Sequence, residues 1–169
     1  MTASAPQKFE HFEECMGTVF RFAGRSDLNQ TELVAKLAEA CEVLHQADRI
    51  FSLYKPESPL SALARGETSV AKCPPEVSAV WELCEAWEKK TGGYFKSFTP
   101  QNTFDPSGLV KTWAAQKAID ALLISGVTDF TLNAGGDIWL SDELTSDTDW
   151  KVGISKPVSI ADQDAGVLA

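Results

Sequence analysis

Apolar residues recur along this chain with two different periods, and the order in which the periods alternate outlines a fold. Between Leu28 and Phe51, the residues Leu33, Val34, Leu37, Ala38, Cys41, Leu44 and Ala47 fall on one stripe, which predicts a long amphipathic helix. Ser58-Pro59 opens a short helix through Ala64. Pro74-Pro75-Glu76 reads as another helix start, with proline in the first turn and an acid at the positive end of the helix dipole. Val77, Val80, Trp81, Cys84 and Trp87 then follow at spacings of three and four, up to Lys89-Lys90 and a stop at Thr91-Gly92-Gly93. A further helix is predicted from Leu109 to Leu123, with Val110, Ala114, Ala118 and Leu122 on one face and Gly126 at its end.

Strand signals are shorter. Thr18-Val19-Phe20-Arg21-Phe22 is β-branched and aromatic and is followed by a turn at Gly24-Arg25-Ser26-Asp27, where Ser26 or Asp27 could cap the first helix. Phe130 to Ala134, a tight turn at Gly135-Gly136-Asp137, and Ile138 to Leu140 form a hairpin, and Trp150 to Ile154 reads as one more strand. Residues 94–107 have no sustained period and read as loop or a short extended piece. Residues 1–14 are polar and read as a loose lead-in to a single domain over 15–169. Helices in series followed by clustered hairpin strands predict an α+β fold, an antiparallel sheet packed with helices. The apolar ending Gly166-Val167-Leu168-Ala169 looks like the start of another strand, so the domain is expected to be incomplete at its C-terminus.

Composition narrows the function classes more than it selects one. With 44% hydrophobic and 23% charged residues the chain is of ordinary globular type. A net charge of −9 opposes nucleic acid and anionic membrane as partners, since both need a basic face. A small anionic ligand is still allowed, because backbone N–H groups, one lysine or a divalent cation can hold it locally. No segment is apolar enough to cross a bilayer, and the first eight residues lack the features of a signal peptide, so a cytoplasmic location is the expectation. Cys15, Cys41, Cys73 and Cys84 are irregularly spaced with no C-x-x-C, which predicts reduced thiols and no zinc site, and His45 reads as a helix boundary residue.

Three stretches carry chemistry. In Phe104-Asp105-Pro106-Ser107-Gly108-Leu109-Val110-Lys111, an acid and a glycine lead into a helix with a lysine in its first turns. Such a start either holds a phosphate on free N–H groups or is simply an acidic cap beside a solvated lysine. Asn133-Ala134-Gly135-Gly136-Asp137 is either a plain hairpin turn or a wall beside a ligand. Cys15-Met16-Gly17-Thr18 and Phe51-Ser52-Leu53-Tyr54 offer a thioether and a phenol on which a planar ring could stack.

In combination and in this order the motifs resemble the FAD:protein FMN transferases, also called the ApbE or thiamine-biosynthesis lipoprotein family. Met16-Gly17-Thr18, Phe51-Ser52-Leu53-Tyr54 with Ser58-Pro59-Leu60-Ser61-Ala62-Leu63, Gly92-Gly93-Tyr94-Phe95, Asp105 to Lys111, Leu132 to Ile138, and Trp150 to Ile154 with Pro157 carry the likeness, from about residue 15 to 169. The resemblance implies an ApbE-like fold and Mg²⁺-dependent transfer of FMN from FAD to a threonine of a target flavoprotein, with release of AMP. Alternatives are Mg²⁺-dependent hydrolysis of FAD to FMN and AMP, or FAD binding without catalysis. It implies FAD contacts at Met16, Tyr54, Tyr94, Phe95, Lys96, Asp105 and Lys111, and a metal on the Gly108 carbonyl. Members are often exported lipoproteins. Lys96 stands where the family has Asp, Thr112 where it has Gly, and Pro106-Ser107 where it has Leu-Gly, marking a divergent branch. The family's acidic and hydroxyl metal ligands lie beyond the last residue here, so these 169 residues alone are expected to be weak or inactive as a transferase.

Overall fold

A computed structural model describes residues 5–141, 152–155 and 167–168. Strands β1 (Gln7–Cys15), β2 (Thr18–Ser26), β3 (Asp129–Ala134) and β4 (Asp137–Leu140) form one antiparallel sheet in the order β1-β2-β3-β4. Helices α1 (Gln30–Phe51), α2 (Pro59–Ala64), α3 (Pro75–Lys90) and α4 (Ser107–Ile124) all lie between β2 and β3 in sequence, with a 3₁₀ turn at Val70–Lys72. Two short strands, β5 (Ile154–Ser155) and β6 (Val167–Leu168), pair antiparallel with each other. The predicted α+β class with an antiparallel sheet is what the structure shows. The strand predicted over 150–154 lies partly outside the described residues, and β5 starts only at Ile154.

The stretch expected to be a loose lead-in is corrected by β1. Gln7 to Cys15 pairs with β2 residue for residue, from Gln7↔Ser26 to Cys15↔Thr18. Its side chains alternate between half-buried (Phe9, His11, Glu13) and exposed (Lys8, Glu10, Phe12, Glu14), the strand period of two. Three of the inward positions, Gln7, His11 and Glu13, are polar, so the alternation does not show as hydrophobicity. Charged, inward-pointing side chains are a common feature of edge strands, where they oppose pairing with another chain. On the outer face, Arg21 of β2 donates to Glu10 at 2.6 Å and lies over the Phe12 ring. Such exposed pairs contribute at most about 1 kcal/mol.

Helix α1 begins at Gln30, two residues later than expected. Asn29, rather than Ser26 or Asp27, caps it, accepting from the Glu32 N–H at 2.9 Å while the Glu32 side chain accepts from the Asn29 N–H. Its buried face runs through Leu33, Leu37, Ala40, Cys41, Leu44, Ala47, Ile50 and Phe51, with Val34 and Ala38 on an exposed shoulder. These join Phe20, Phe22, Phe130 and Leu132 of the sheet and Val110, Ala114, Ala118, Ile119 and Leu122 of α4 in one core. Helix α3 contributes Val77, Val80 and Cys84. Its Trp81 packs on Phe98 and Phe104 at 5.1 and 4.4 Å between ring centroids, whereas Trp87 stays exposed beneath the Lys90 ammonium. Among the described residues no helix is long and apolar enough to cross a membrane.

The sheet closes most tightly at Gly24, which pairs with Phe9 on one side and Phe130 on the other. A methyl group there would sit 2.2 Å from the Asp129 carbonyl oxygen and 2.6 Å from Phe130 Cβ, both fixed by the ladder. Gly24→Ala is therefore expected to cost about 3 kcal/mol, and Asn29→Ala about 1 kcal/mol through loss of the cap. Urea unfolding checks both, with Gly66→Asn, at a positive φ in open space, as a near-neutral control. The four cysteines are free thiols. Burial pushes the Cys15 thiol up to about 11 and the Cys41 thiol up to about 12, and raises that of Cys84. In the native protein iodoacetamide is expected to label the half-buried Cys73 first, as read by mass spectrometry, and the other three only on unfolding.

Candidate functional site

Two tight turns meet at one end of the sheet. Cys15 and Thr18 are paired, so Met16 and Gly17 alone make the β1–β2 turn, both at positive φ (52° and 69°). That conformation favours Asn or Gly, and a methionine there costs about 1 kcal/mol. The second turn, Gly135-Gly136 between the paired Ala134 and Asp137, has φ of 61° and 103°. Because Phe20 pairs with Ala134, the two turns are neighbours, and a side chain on Gly135 would strike Thr18 Oγ1 at 2.3 Å. Asn133 holds the second turn by accepting from the Gly136 N–H at 2.8 Å.

Two helix ends converge on the same place. The C-terminal end of α1 brings Asp48, Phe51, Ser52, Leu53 and Tyr54, and the N-terminal end of α4 brings Asp105, Ser107, Val110 and Lys111. With Met16 and Gly17 they line a cavity of about 600 Å³, within the roughly 300–1,000 Å³ common for small-molecule sites. Sequence motifs lying some 90 residues apart are thus brought together, among them four of the expected site residues: Met16, Tyr54, Asp105 and Lys111. Tyr54 is 98% exposed at the mouth, an unpacked aromatic ring beside a cavity.

The serines that follow explain how the exit of α1 is fixed. Ser58 is 1% exposed; its Oγ accepts from the Ser61 N–H and donates to the Ser52 carbonyl at 2.6 Å. Ser61 Oγ donates to the same carbonyl at 3.2 Å. The Ser-Pro-Leu-Ser motif is therefore a clip on the loop that carries Leu53 and Tyr54.

The α4 start is set by a small hairpin in the segment read as loop. Phe98 and Phe104 form a bridge, Asn102 turns the tip at φ 61°, and the Asp105 N–H donates to the Ser97 carbonyl at 2.8 Å. Asp105 is not the helix cap, which is Pro106; its carboxylate accepts from the N–H of Ser107 at 3.0 Å and from the Ser107 hydroxyl. Lys111 is not merely solvated either. It pairs with Asp137 of β4 at 2.9 Å, tying the helix start to the glycine hairpin.

The electrostatics are mixed. Asp48 and Asp105 bring negative charge to the cavity, but Asp48 is paired with Lys55 at 2.5 Å. Lys111 and the positive end of the α4 dipole supply the opposite sign. Cys15, next to Met16, is held as a thiol by burial and by the nearby Asp48, so it is no nucleophile at neutral pH. Asp48 was the lining residue that sequence patterning passed over; its one signal was Lys55, seven residues on.

The remaining expected residues, Tyr94, Phe95, Lys96 and Gly108, are not in the cavity lining. Tyr94 is 97% exposed, Lys96 is exposed, and Phe95 packs its ring under Gly108, 3.3 Å from where a Cβ would be. No group of three His, Cys, Asp or Glu ligand atoms gathers at Gly108 among the described residues. An octahedral Mg²⁺ site built on carboxylates is thus not formed there by these residues.

Known proteins share this fold. The flavin transferase ApbE from Vibrio cholerae superposes with a TM-score of 0.75 at 16% identity, over 90% of this chain and 65% of its own. The apo form of Pseudomonas stutzeri flavinyl transferase ApbE gives 0.74 at 15% identity, over 99% and 66%. The ApbE protein of Thermotoga maritima gives 0.63 at 17%, over 79% and 59%. At such identities the likeness shows the fold, and the chain spans less than two-thirds of the length of these proteins. No curated protein matches by sequence. A family model described as the ApbE family matches residues 16–99 and 96–169, a span that takes in the Met16 turn, the serine clip, the Asp105 mouth and the glycine hairpin, and by that match the chain belongs to the ApbE family.

Proposed function

We propose that this chain binds FAD in the cavity between the Met16 turn, the end of α1 and the start of α4, for transfer of its FMN part to a threonine of a target flavoprotein. The observation that carries this reading is the convergence of Met16, Tyr54, Asp105 and Lys111 on one 600 Å³ cavity at a helix N-terminus. The solved structures with the same fold bear the names of flavin transferases, which supports it.

In the proposed reaction the threonine hydroxyl oxygen attacks the phosphorus on the riboflavin side of the pyrophosphate. The bond from that phosphorus to the bridging oxygen breaks, AMP leaves with the bridging oxygen, and the hydroxyl proton passes to a base. Lys111 and the N–H groups of the first α4 turn would neutralise the pyrophosphate. Met16 and Tyr54 would give a ring two faces to stack on, Asp105 would bind FAD at the helix mouth, and Tyr94, Phe95 and Lys96 would flank it. The family resemblance also implies Mg²⁺ at the Gly108 carbonyl. The described residues bring no carboxylate cluster there, so no step is placed on a metal.

Isothermal titration of FAD into the protein is expected to show micromolar binding that Mg²⁺ leaves unchanged. Lys111→Met should weaken it by about tenfold, the worth of one charge-assisted contact. Absence of binding with and without Mg²⁺ would sink the flavin reading, and a tenfold gain with Mg²⁺ would show that a metal site forms. With FAD, Mg²⁺ and a threonine-bearing acceptor, the expected outcome is slow AMP release matched by acid-stable flavin on the acceptor. AMP release that needs no acceptor would mean hydrolysis instead, and binding with no release in either case would mean a flavin-binding module.

A further inference from the structure

Away from the flavin cavity, the seam between β1 and α1 gathers four metal-ligating side chains from two distant stretches of sequence. The strand period places His11 and Glu13 on the same face of β1, and the helix period places Cys41 and His45 one turn apart on α1. Glu13 is the hub. One carboxylate oxygen lies 3.2 Å from His11 Nε2, and the other lies 2.8 Å from His45 Nε2. Cys41 Sγ is 3.4 Å from His11 Nε2. Ligand atoms of His11, Glu13 and Cys41 all lie within 4.8 Å of one another.

We propose that His11, Glu13 and Cys41 form a binding site for Zn²⁺ or a similar borderline-soft divalent ion, with His45 orienting the Glu13 carboxylate from behind. The geometry already approaches what such an ion requires. Tetrahedral bonds of about 2.0–2.1 Å to nitrogen and oxygen and about 2.3 Å to sulfur put ligand atoms roughly 3.3–3.6 Å apart, close to the two separations made with His11. A thiolate with an imidazole selects against Mg²⁺ and Ca²⁺. The His45 hydrogen bond to the non-ligating carboxylate oxygen is the kind of outer contact that fixes a metal-bound carboxylate.

An open position for water is also built in. A cavity of about 250 Å³ over the cluster is walled by Val34, Leu37 and Ala38. Glu42 at its edge is engaged by Arg49 at 2.5 Å, which leaves the fourth position to solvent. This gives the exposed shoulder of α1 a role that core packing does not. On binding, the Cys41 S–H proton leaves to solvent, and thiolate plus carboxylate balance the divalent charge. The ion would join the edge strand to α1 independently of flavin, because none of these residues lines the flavin cavity.

The test is a titration of the metal-stripped full chain with Co²⁺ and then Zn²⁺, under a non-chelating reductant. The expected result is one ion per chain, a thiolate-to-cobalt charge-transfer band that Zn²⁺ abolishes, and a higher melting temperature with Zn²⁺. Cys41→Ser should remove the band. His11→Gln, at a half-buried position, should weaken Zn²⁺ by more than about 100-fold, and His45→Gln by about 10-fold, as for an outer contact. Cys73→Ser should change nothing. No charge-transfer band in the parent protein, or Zn²⁺ affinity equal in His11→Gln and the parent, would overturn the site and leave a purely hydrogen-bonded cluster. FAD binding, measured separately, is expected to be the same with and without Zn²⁺, so failure of either reading is distinguishable.

Discussion

The position of α4 against α1 is the constraint on which the rest of the candidate site hangs. Helix α4 turns Ala114, Ala115 and Ala118 into the core, side chains small enough to let two helix axes approach closely. Phe51 meets Trp113 edge-on at 5.6 Å where the two helices pass, and that contact sits directly behind the cavity. Once α4 is seated, its first turns place Lys111 within reach of Asp137 on β4, and the Phe98–Phe104 bridge delivers Asp105 to the mouth. A bulkier residue among those alanines would shift the start of α4 and strain the Lys111–Asp137 pair and the Asp105–Ser97 hydrogen bond that anchor it.

The site end of the molecule also shows where local conformational cost has been accepted. Methionine in a left-handed turn is conformationally unfavourable, since glycine or asparagine would close the same hairpin more easily, and its side chain is only partly buried against the core. An outlier of this sort beside a cavity points to a role for the side chain itself. By contrast, Gly135 is required by packing, with Thr18 filling the space a Cβ would need. Two turns of the same shape are therefore occupied for different reasons.

Much of this architecture was legible in the sequence, and the exceptions have physical causes. The helices could be read because their buried stripes are apolar over several turns, and proline, serine and glycine mark their ends. β1 was hidden because its inward face carries His11 and Glu13, so a genuine period-two strand looked like a polar tail. The same two residues concealed the cluster with Cys41, since ligands contributed by a strand and a helix some thirty residues apart leave no short spacing motif. Asp105 and Lys111, singled out from the sequence, both line the cavity, but their partners were not foreseen: the carboxylate turns to Ser107 two residues on, and the ammonium to Asp137, a choice that depends on a hairpin more than twenty residues downstream. Tyr94 and Lys96 were grouped with the site by resemblance, yet the described cavity is lined without them.

The pairing of β2 with β3 has a consequence in time as well as in space. Thr131 donates to the Ala23 carbonyl across 108 residues of chain, and every helix is made in between. At about 5–20 residues per second of synthesis, β2 waits roughly 5–20 seconds on the ribosome with one edge open and Phe20 and Phe22 lacking their final partners. During that interval only β1 and the emerging helices can shield it. The polar, full-length hairpin with β1 therefore does more than extend the sheet: it leaves β2 a single open edge instead of two until β3 arrives.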